Sequence, residues 1–352
     1  MEIDNKKIGL EYPTYFIADI GANHDGDLNR AKDLIYKAAE SGANAAKFQH
    51  FKANTIVSDF GFRNLNSALS HQKSWKKSVY EVYRDASINN SWTAELKLTC
   101  DKAGITFFTS PYDLSIVDEI DKFVPAYKIG SGDITWIKII KYIASKNKPY
   151  IIATGASSID EVNLAVNAGL KINPNLSLMQ CNTNYTGSAN NFKFINLNVL
   201  KTFSQMFPDL VLGLSDHTPG HSTVLGAISL GARIIEKHFT DDNSREGPDH
   251  SFAMNPYSWQ EMISRSRELE DSLGSKIKRV EENEKDTVVL QRRSLRVKEN
   301  MNVETVIDTE DLIELRPCPN DAIPPYLIND VLGKRLKIPK NKGDYLRWKD
   351  LL

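Results

Sequence analysis

The stretch "LVLGLSDHTPGHSTVLGAISLGARIIEKHF", residues 210–239, holds two short apolar runs, 210–217 and 233–239, on either side of a helix-like segment, 221–231. Strand, helix and strand in that order make a βαβ unit, the building block of a parallel sheet. The first run closes on His217 and the second contains His238 near its end. Taken alone, such a pair reads as two hydrogen-bonded structural histidines. Its meaning depends on whether other segments end in the same way.

Six further runs have the same character: "YFIADIG" (15–21), "AAKFQH" (45–50), "ITFFTSP" (105–111), "AYKIGSG" (126–132), "PYIIATG" (149–155) and "LSLMQC" (176–181). Helix-like segments lie between them. In 28–42 the residues Ala31, Leu34, Ile35 and Ala38 share one face, and Gly42 reads as a C-cap. In 157–169 a serine N-cap precedes acidic residues, and Gly169 marks the end. Eight strand-like runs alternating with helices predict an α/β fold, a closed (β/α)8 TIM barrel of about 250 residues. An open doubly wound sheet is the alternative. It would more often carry GxGxxG after its first strand, where this chain has "GANHDGD".

The chain has 352 residues, a net charge of −1 and 41% hydrophobic residues, enough for one large domain and a small one. That balance gives no global field for nucleic acid or membrane, and no run is long enough to span a bilayer. Cys100, Cys181 and Cys318 are far apart and form no CxxC pair, which points to a reducing compartment. The N-terminus lacks a signal-like apolar stretch. These features together predict a cytoplasmic soluble protein. The charged segment 265–287 reads as a closing helix and linker. The remaining short β-like runs and prolines, with the turn "NKGD" (341–344), read as a small β-rich domain. The expected division is 1–285 and 286–352.

Barrel active sites lie at the C-terminal ends of the strands. Those ends carry Asp19, Lys47 and Gln49, Ser110, Lys128 and Ser131, Thr154, Thr183 and Tyr185, Ser215 and His217, and Glu236 and His238. Mixed polar residues there would serve solubility. Lysines inside apolar strands would not, because a buried ammonium needs a partner. Lys47 and Lys128 facing one mouth with several hydroxyls make a site for a phosphate or carboxylate. His217 and His238 end adjacent strands, so two imidazoles with substrate or solvent oxygens would form an open divalent-metal site. A metal-free acid–base histidine is the alternative. Glu236 shares the inward direction of His238.

The runs "IADIGANHDGDLNRA", "AAKFQHF", "FFTSPYD", "YKIGSGD", "IIATGAS", "GLSDHTPG" and "IIEKHFTDDNSREGPDHSFAM" resemble the sialic acid (nonulosonate) synthase family. The tail "RRSLRV…DLIELRPCP…VLGKRLK" is similar to that family's antifreeze-like domain. The resemblance covers nearly the whole chain in order. It implies condensation of phosphoenolpyruvate with an N-acylated hexosamine-type sugar. It also implies a homodimer in which each C-terminal domain covers the partner's barrel mouth. Lys47, Ser110, Lys128, Ser131, Thr183 and Ser215 would hold phosphoenolpyruvate. His217 and His238 would bind a divalent ion, manganese first, with magnesium or cobalt as alternatives. Gln49 and Tyr185 would contact the sugar, and Arg316 would reach its acyl-amino group from the partner. Glu236, with Asp249 second, would activate water.

The chain also departs from that pattern. It has Asp19 where the family's first strand has glutamate, Ala153 where serine is common, and "CNTNYTG" with Thr186 in place of proline. "RPCPNDAIPP" lacks the usual glycines. The departures fall on the sugar side, which implies an acceptor other than N-acetylmannosamine. Two other functions compete: another metal-dependent barrel aldolase or 3-deoxy-sugar-acid synthase, and a non-catalytic sugar-binding protein. An ice-binding role would need a regular threonine-rich face, which the tail lacks.

Overall fold

Parallel strands covered on both faces read as near-continuous apolar runs, and such runs build one closed sheet in this computed structural model. The structure describes residues 1–65, 72 and 75–352. A hairpin of β1 (Glu2–Ile3) and β2 (Lys6–Lys7) opens the chain. Eight parallel strands follow: β3 (Tyr15–Asp19), β4 (Ala45–His50), β5 (Thr106–Pro111), β6 (Tyr127–Ile129), β7 (Tyr150–Ala153), β8 (Leu176–Cys181), β9 (Val211–Asp216) and β10 (Ile234–His238). They close into a barrel in chain order, with β10 pairing back onto β3. The open-sheet alternative is excluded. The runs 45–50 and 176–181 become strands without gaining or losing a residue.

Helices between the strands bury the faces their periodicity sets. Helix Leu28–Glu40 turns Ala31, Leu34, Ile35 and Ala38 inward, and the Asp27 carboxylate accepts from the backbone amides of Asn29 and Arg30 at its start. Helix Ile159–Leu170 starts on a capping box between Ser158 and Glu161. Its end corrects the expectation for Gly169, which lies inside the helix rather than at a C-cap. A Cβ there would stand 2.4 Å from the Tyr150 hydroxyl, so Gly169 lets the helix close on β7. Between β4 and the helix Thr93–Ala103 the chain makes an excursion with short helices Ala53–Ile56, Asp59–Arg63 and Val79–Ala86. This excursion becomes one wall of the site.

The described residues divide into two compact units, Met1–Gly274 and Ser275–Leu352. The charged segment from 275 thus clusters with the smaller unit, ahead of the expected 285/286 boundary. Within that unit β11 (Ser294–Val297) and β12 (Leu312–Leu315) pair antiparallel. Leu295, Val297, Ile307, Ile323, Leu336 and Leu346 form a separate core. The turn at 341–344 closes with the Asp344 amide donating to the Asn341 carbonyl at 2.9 Å. Among the described residues no helix is long and apolar enough to cross a membrane.

Candidate active site

Register at the barrel seam decides which side chains meet. His238 pairs with Asp19 across β10 and β3, Lys47 pairs with Asp19 across β3 and β4, and Glu236 pairs with Ser215 across β9 and β10. The inward residues form a buried charged cluster. Lys47 Nζ donates to Asp19 Oδ2 at 2.7 Å and lies 3.9 Å from Glu236 Oε1. Lys128 Nζ donates to the same Glu236 oxygen at 2.8 Å, and Ser215 Oγ donates to it at 3.2 Å. Gln49 Nε2 donates to Asp19 Oδ2 at 3.0 Å. Both lysines are 2% exposed. The partners that buried ammonium groups require are thus two carboxylates from other strands.

Burial opposes charge on Asp19, yet Lys47 and then His238 outweigh it and hold the carboxyl below its ordinary range. Glu236 is held down in the same way, against burial, by Lys128 and Lys47. Burial would discharge Lys47, but Asp19 and Glu236 raise it. Asp19, Glu236 and Lys47 are therefore each held in the charged form out of water. Several buried polar atoms have no protein partner: Asp19 Oδ1, Glu236 Oε2, Ser110 Oγ and His238 Nδ1. An unsatisfied buried group costs about 1–3 kcal/mol, so their convergence marks a place for a polar ligand.

The remaining expected residues fall into three sets. His217 and His238 come together with ring centroids 5.5 Å apart, and Tyr185 meets His217 edge-on at 4.4 Å. His217 Nδ1 lies 2.9 Å from the Asn182 carbonyl. A carbonyl only accepts, so Nδ1 is the donor in this contact. Asp249 Oδ2 accepts from the Ala22 amide at 3.1 Å and lies 3.6 Å from His238 Nδ1. Gly21 explains this convergence. Its φ of +51° is left-handed, and a Cβ there would stand 2.8 Å from Asp249 Oδ2, 3.3 Å from His238 Nδ1 and 3.4 Å from Gln49 Nε2.

On the opposite rim Ser131 Oγ accepts from the Gly155 amide at 2.9 Å. A Cβ on Gly155 would meet Thr183 at 2.5 Å and Ser131 at 2.9 Å, so the Thr183 and Ser131 side chains both abut that glycine. Thr154, another strand-end residue, turns its hydroxyl onto the Met179 carbonyl at 2.9 Å. Arg316 is exposed in the smaller unit.

A cavity of about 390 Å³ opens from His238, Asp249, Gln49 and Tyr185 toward Tyr112, Asp133 and Tyr83. Sequence reading missed these last three. Tyr112 and Asp133 lie just beyond β5 and β6, inside the quoted "FFTSPYD" and "YKIGSGD", where counting past the strand end would have found them. Tyr83 is on the excursion helix Val79–Ala86, and its place at the mouth has no local signal.

A closed βα barrel with two buried lysines, two carboxylates and a histidine pair at its C-terminal mouth defines a class: barrel enzymes acting on a small anionic substrate. Within that class the chain belongs to the NeuB family, whose model matches residues 34–278, and a SAF domain model matches residues 292–352. Enzymes of this family use phosphoenolpyruvate in a condensation, and this chain is one of them. It is 34% identical to the N,N'-diacetyllegionaminic acid synthase of Legionella pneumophila, over 98% of this chain and 97% of that one. It is 29% identical to the human N-acetylneuraminate-9-phosphate synthase, over 96% and 92%. Among solved structures, the N-acetylneuraminic acid synthetase of Leptospira borgpetersenii in complex with citrate superposes with a TM-score of 0.71. It is 26% identical and covers 82% of this chain and 94% of that one.

Proposed function

We propose that the chain is a nonulosonic acid synthase that joins phosphoenolpyruvate to an N-acylated hexosamine-type sugar and releases phosphate. The observation that supports it most is the buried cluster of Lys47, Lys128, Asp19 and Glu236 beside the histidine pair. Lys47 and Lys128, with Ser110, Ser131, Thr183 and Ser215, hold the phosphate and carboxylate of phosphoenolpyruvate. Each lysine then exchanges part of its carboxylate pairing for a substrate anion. Carbon 3 of phosphoenolpyruvate attacks the aldehyde carbon of the open-chain sugar, and the aldehyde oxygen takes a proton. Water adds at carbon 2, and the tetrahedral intermediate expels phosphate by C–O cleavage. Glu236 Oε2, which has no protein partner, takes the proton of that water; Asp249 is the second candidate. Gln49 and Tyr185 orient the sugar.

His217 and His238 fit a divalent ion. Both are imidazoles, one is oriented by the Asn182 carbonyl, and His238 Nδ1 is buried without a hydrogen-bond partner. Among the described residues no third histidine, cysteine or carboxylate completes a metal cluster with them, so substrate and solvent oxygens would supply the other positions. When bound there, manganese, or magnesium or cobalt in its place, would supply Lewis-acid polarisation of the aldehyde.

The acceptor is a modified sugar, such as a 2,4-diacylamino or deoxy analogue, and N-acetylmannosamine is a poor substrate. Asp19 is a methylene shorter than the glutamate of the resembled pattern and is already committed to Lys47 and Gln49. The similarity to a diacetyllegionaminic acid synthase supports the same choice. The enzyme acts as a homodimer, with Arg316 of one subunit reaching the acyl-amino group in the other. A phosphoenolpyruvate-dependent reaction belongs in the cytoplasm, which is where the chain is proposed to act.

The test is incubation with phosphoenolpyruvate and a panel of acylamino sugars. Inorganic phosphate and product mass are read together. Stoichiometric phosphate and a mass equal to sugar plus pyruvate are expected. A product formed from pyruvate without phosphate release would make the chain an aldolase instead.

A further inference from the structure

Lys237 is as deeply buried as the two lysines of the charged cluster, 2% exposed, yet it faces away from the mouth. Side chains alternate along a strand. With Glu236 and His238 directed into the barrel, Lys237 between them is directed outward. On β9 the same alternation sends Asp216 outward, next to the inward Ser215. The two outward residues are register partners and form a buried ion pair. Lys237 Nζ donates to Asp216 Oδ2 and, at 2.6 Å, to the Thr218 carbonyl. The Thr218 hydroxyl donates to Asp216 Oδ2 at 2.8 Å. The Thr223 hydroxyl, from the first turn of the helix Ser222–Ser229, donates to the same oxygen at 2.8 Å.

His217 lies inside this network. The residues before and after it, Asp216 and Thr218, are both bound to one ammonium, and that ammonium belongs to the residue next to His238. The backbone that carries one imidazole is therefore tied to the backbone that carries the other, on the side of the sheet opposite the mouth. The two rings stand 5.5 Å apart. A gain in stability does not account for such a pair. Two ions lose their hydration inside a protein, and apolar side chains of the same volume would pack there at no greater cost. What the ion pair and its hydroxyls supply is one defined geometry. The turn after β9 cannot slide along β10 without breaking several hydrogen bonds of one network together. Apolar side chains, whose attraction has no direction, would permit that slide.

We infer that Asp216 and Lys237, closed by Thr218 and Thr223, are positioning residues that set the spacing of His217 and His238 for a divalent ion. Neither would touch the ion; both act through the backbone of the histidines. This role rests on the metal reading of the histidine pair and adds the residues that hold the pair from behind.

The experiment titrates Mn²⁺ into the metal-stripped protein without substrate, followed by calorimetry and by the electron paramagnetic resonance signal of free Mn²⁺. The main variant is the double substitution Asp216→Leu with Lys237→Met, which leaves no unpaired charge. It is expected to keep the circular dichroism and Tm of the parent and to bind Mn²⁺ at least about tenfold more weakly, the effect of losing the support behind a metal ligand. Phosphoenolpyruvate affinity, set mostly by residues of other strands, is expected to change far less. Thr223→Val removes one hydroxyl from Asp216 and leaves the ion pair. It is expected to weaken Mn²⁺ binding by about threefold, the size of one hydrogen bond, and Thr223→Ser to restore it. Parent-like Mn²⁺ affinity in the folded double variant overturns the positioning role and leaves the metal reading intact. Equal losses of Mn²⁺ and phosphoenolpyruvate affinity overturn it as well, because they would mean a general loosening of the mouth. If the double variant does not fold, Thr223→Val decides, and unchanged Mn²⁺ affinity there overturns the role. A parent protein that binds no Mn²⁺ overturns the metal reading and the positioning role together.

Discussion

Lys47 and Lys128 occupy strand positions where an apolar side chain would pack without a desolvation penalty, and each is matched to a carboxylate of another strand. Lys47→Ala and Lys128→Ala should therefore raise KM for phosphoenolpyruvate and lower turnover. The expected loss is roughly 10- to 100-fold in kcat/KM, the size of one charge-assisted contact. Unchanged phosphoenolpyruvate affinity in both variants, measured by calorimetry, would move the anion site elsewhere. For the histidines the readout is metal itself. Chelation should abolish activity, Mn²⁺, Co²⁺ or Mg²⁺ should restore it, and His217→Ala or His238→Ala should weaken Mn²⁺ binding in titration while circular dichroism stays that of the parent. A further substitution, Asp19→Glu, should shift kcat/KM toward N-acetylmannosamine if the short carboxylate sets the acceptor.

His50 sets a pH limit on folding. His50 is buried, with its ring nitrogens 2.8 and 2.9 Å from the hydroxyls of Thr109 and Thr93, and burial lowers it from 6.5 to about 4. Below pH 6.5 the unfolded chain takes up a proton that the folded state refuses until about pH 4. Stability should thus fall as pH drops through that window, by a few kcal/mol at most from this one group. Urea midpoints at pH 7.5 and 4.5 test it, and His50→Gln should lose less than the parent.

At the scale of elements, the barrel was legible because a parallel strand buried on both faces leaves a compact apolar signature, and eight of them recur. The strand ends were legible for a related reason: a polar side chain at the end of such a run has the mouth as its destination. What could not be read was pairing. Lys47 and Asp19 are neighbours by register across two strands, and Lys128 and Glu236 face each other across the barrel, distances in sequence that no local pattern encodes. Tyr83 was invisible for the same reason. Gly169 was misread because a glycine near a helix end is most often a cap, whereas here the constraint is contact with a Tyr150 hydroxyl bonded to the Asn173 carbonyl at 3.0 Å. Gly169→Ala should therefore destabilise the fold by about 1–3 kcal/mol through overpacking, although alanine is the better helix former. Thermal unfolding decides between them: a higher Tm in the variant would mean that Tyr150 yields without cost.

For the molecule as a whole, the barrel unit holds every expected site residue except Arg316, which is exposed in a unit with its own core. If each mouth borrows Arg316 from a neighbouring subunit, as proposed, a site has two genetic sources. Arg316→Ala chains keep an intact barrel, and Lys128→Ala chains keep an intact Arg316. Each variant alone should keep at most about a tenth of the parent activity. After mixing under conditions that exchange subunits, half of the dimers pair one chain of each kind. Only one of the two mouths in such a dimer combines the sound barrel with the sound arginine. Activity should then recover to roughly a quarter of the parent level, a proportion fixed by twofold symmetry and random assortment. A site completed within one chain predicts no recovery at all. Sedimentation of the mixture, with one variant tagged, checks that mixed dimers have formed, so a flat activity in their presence would rule out the shared site.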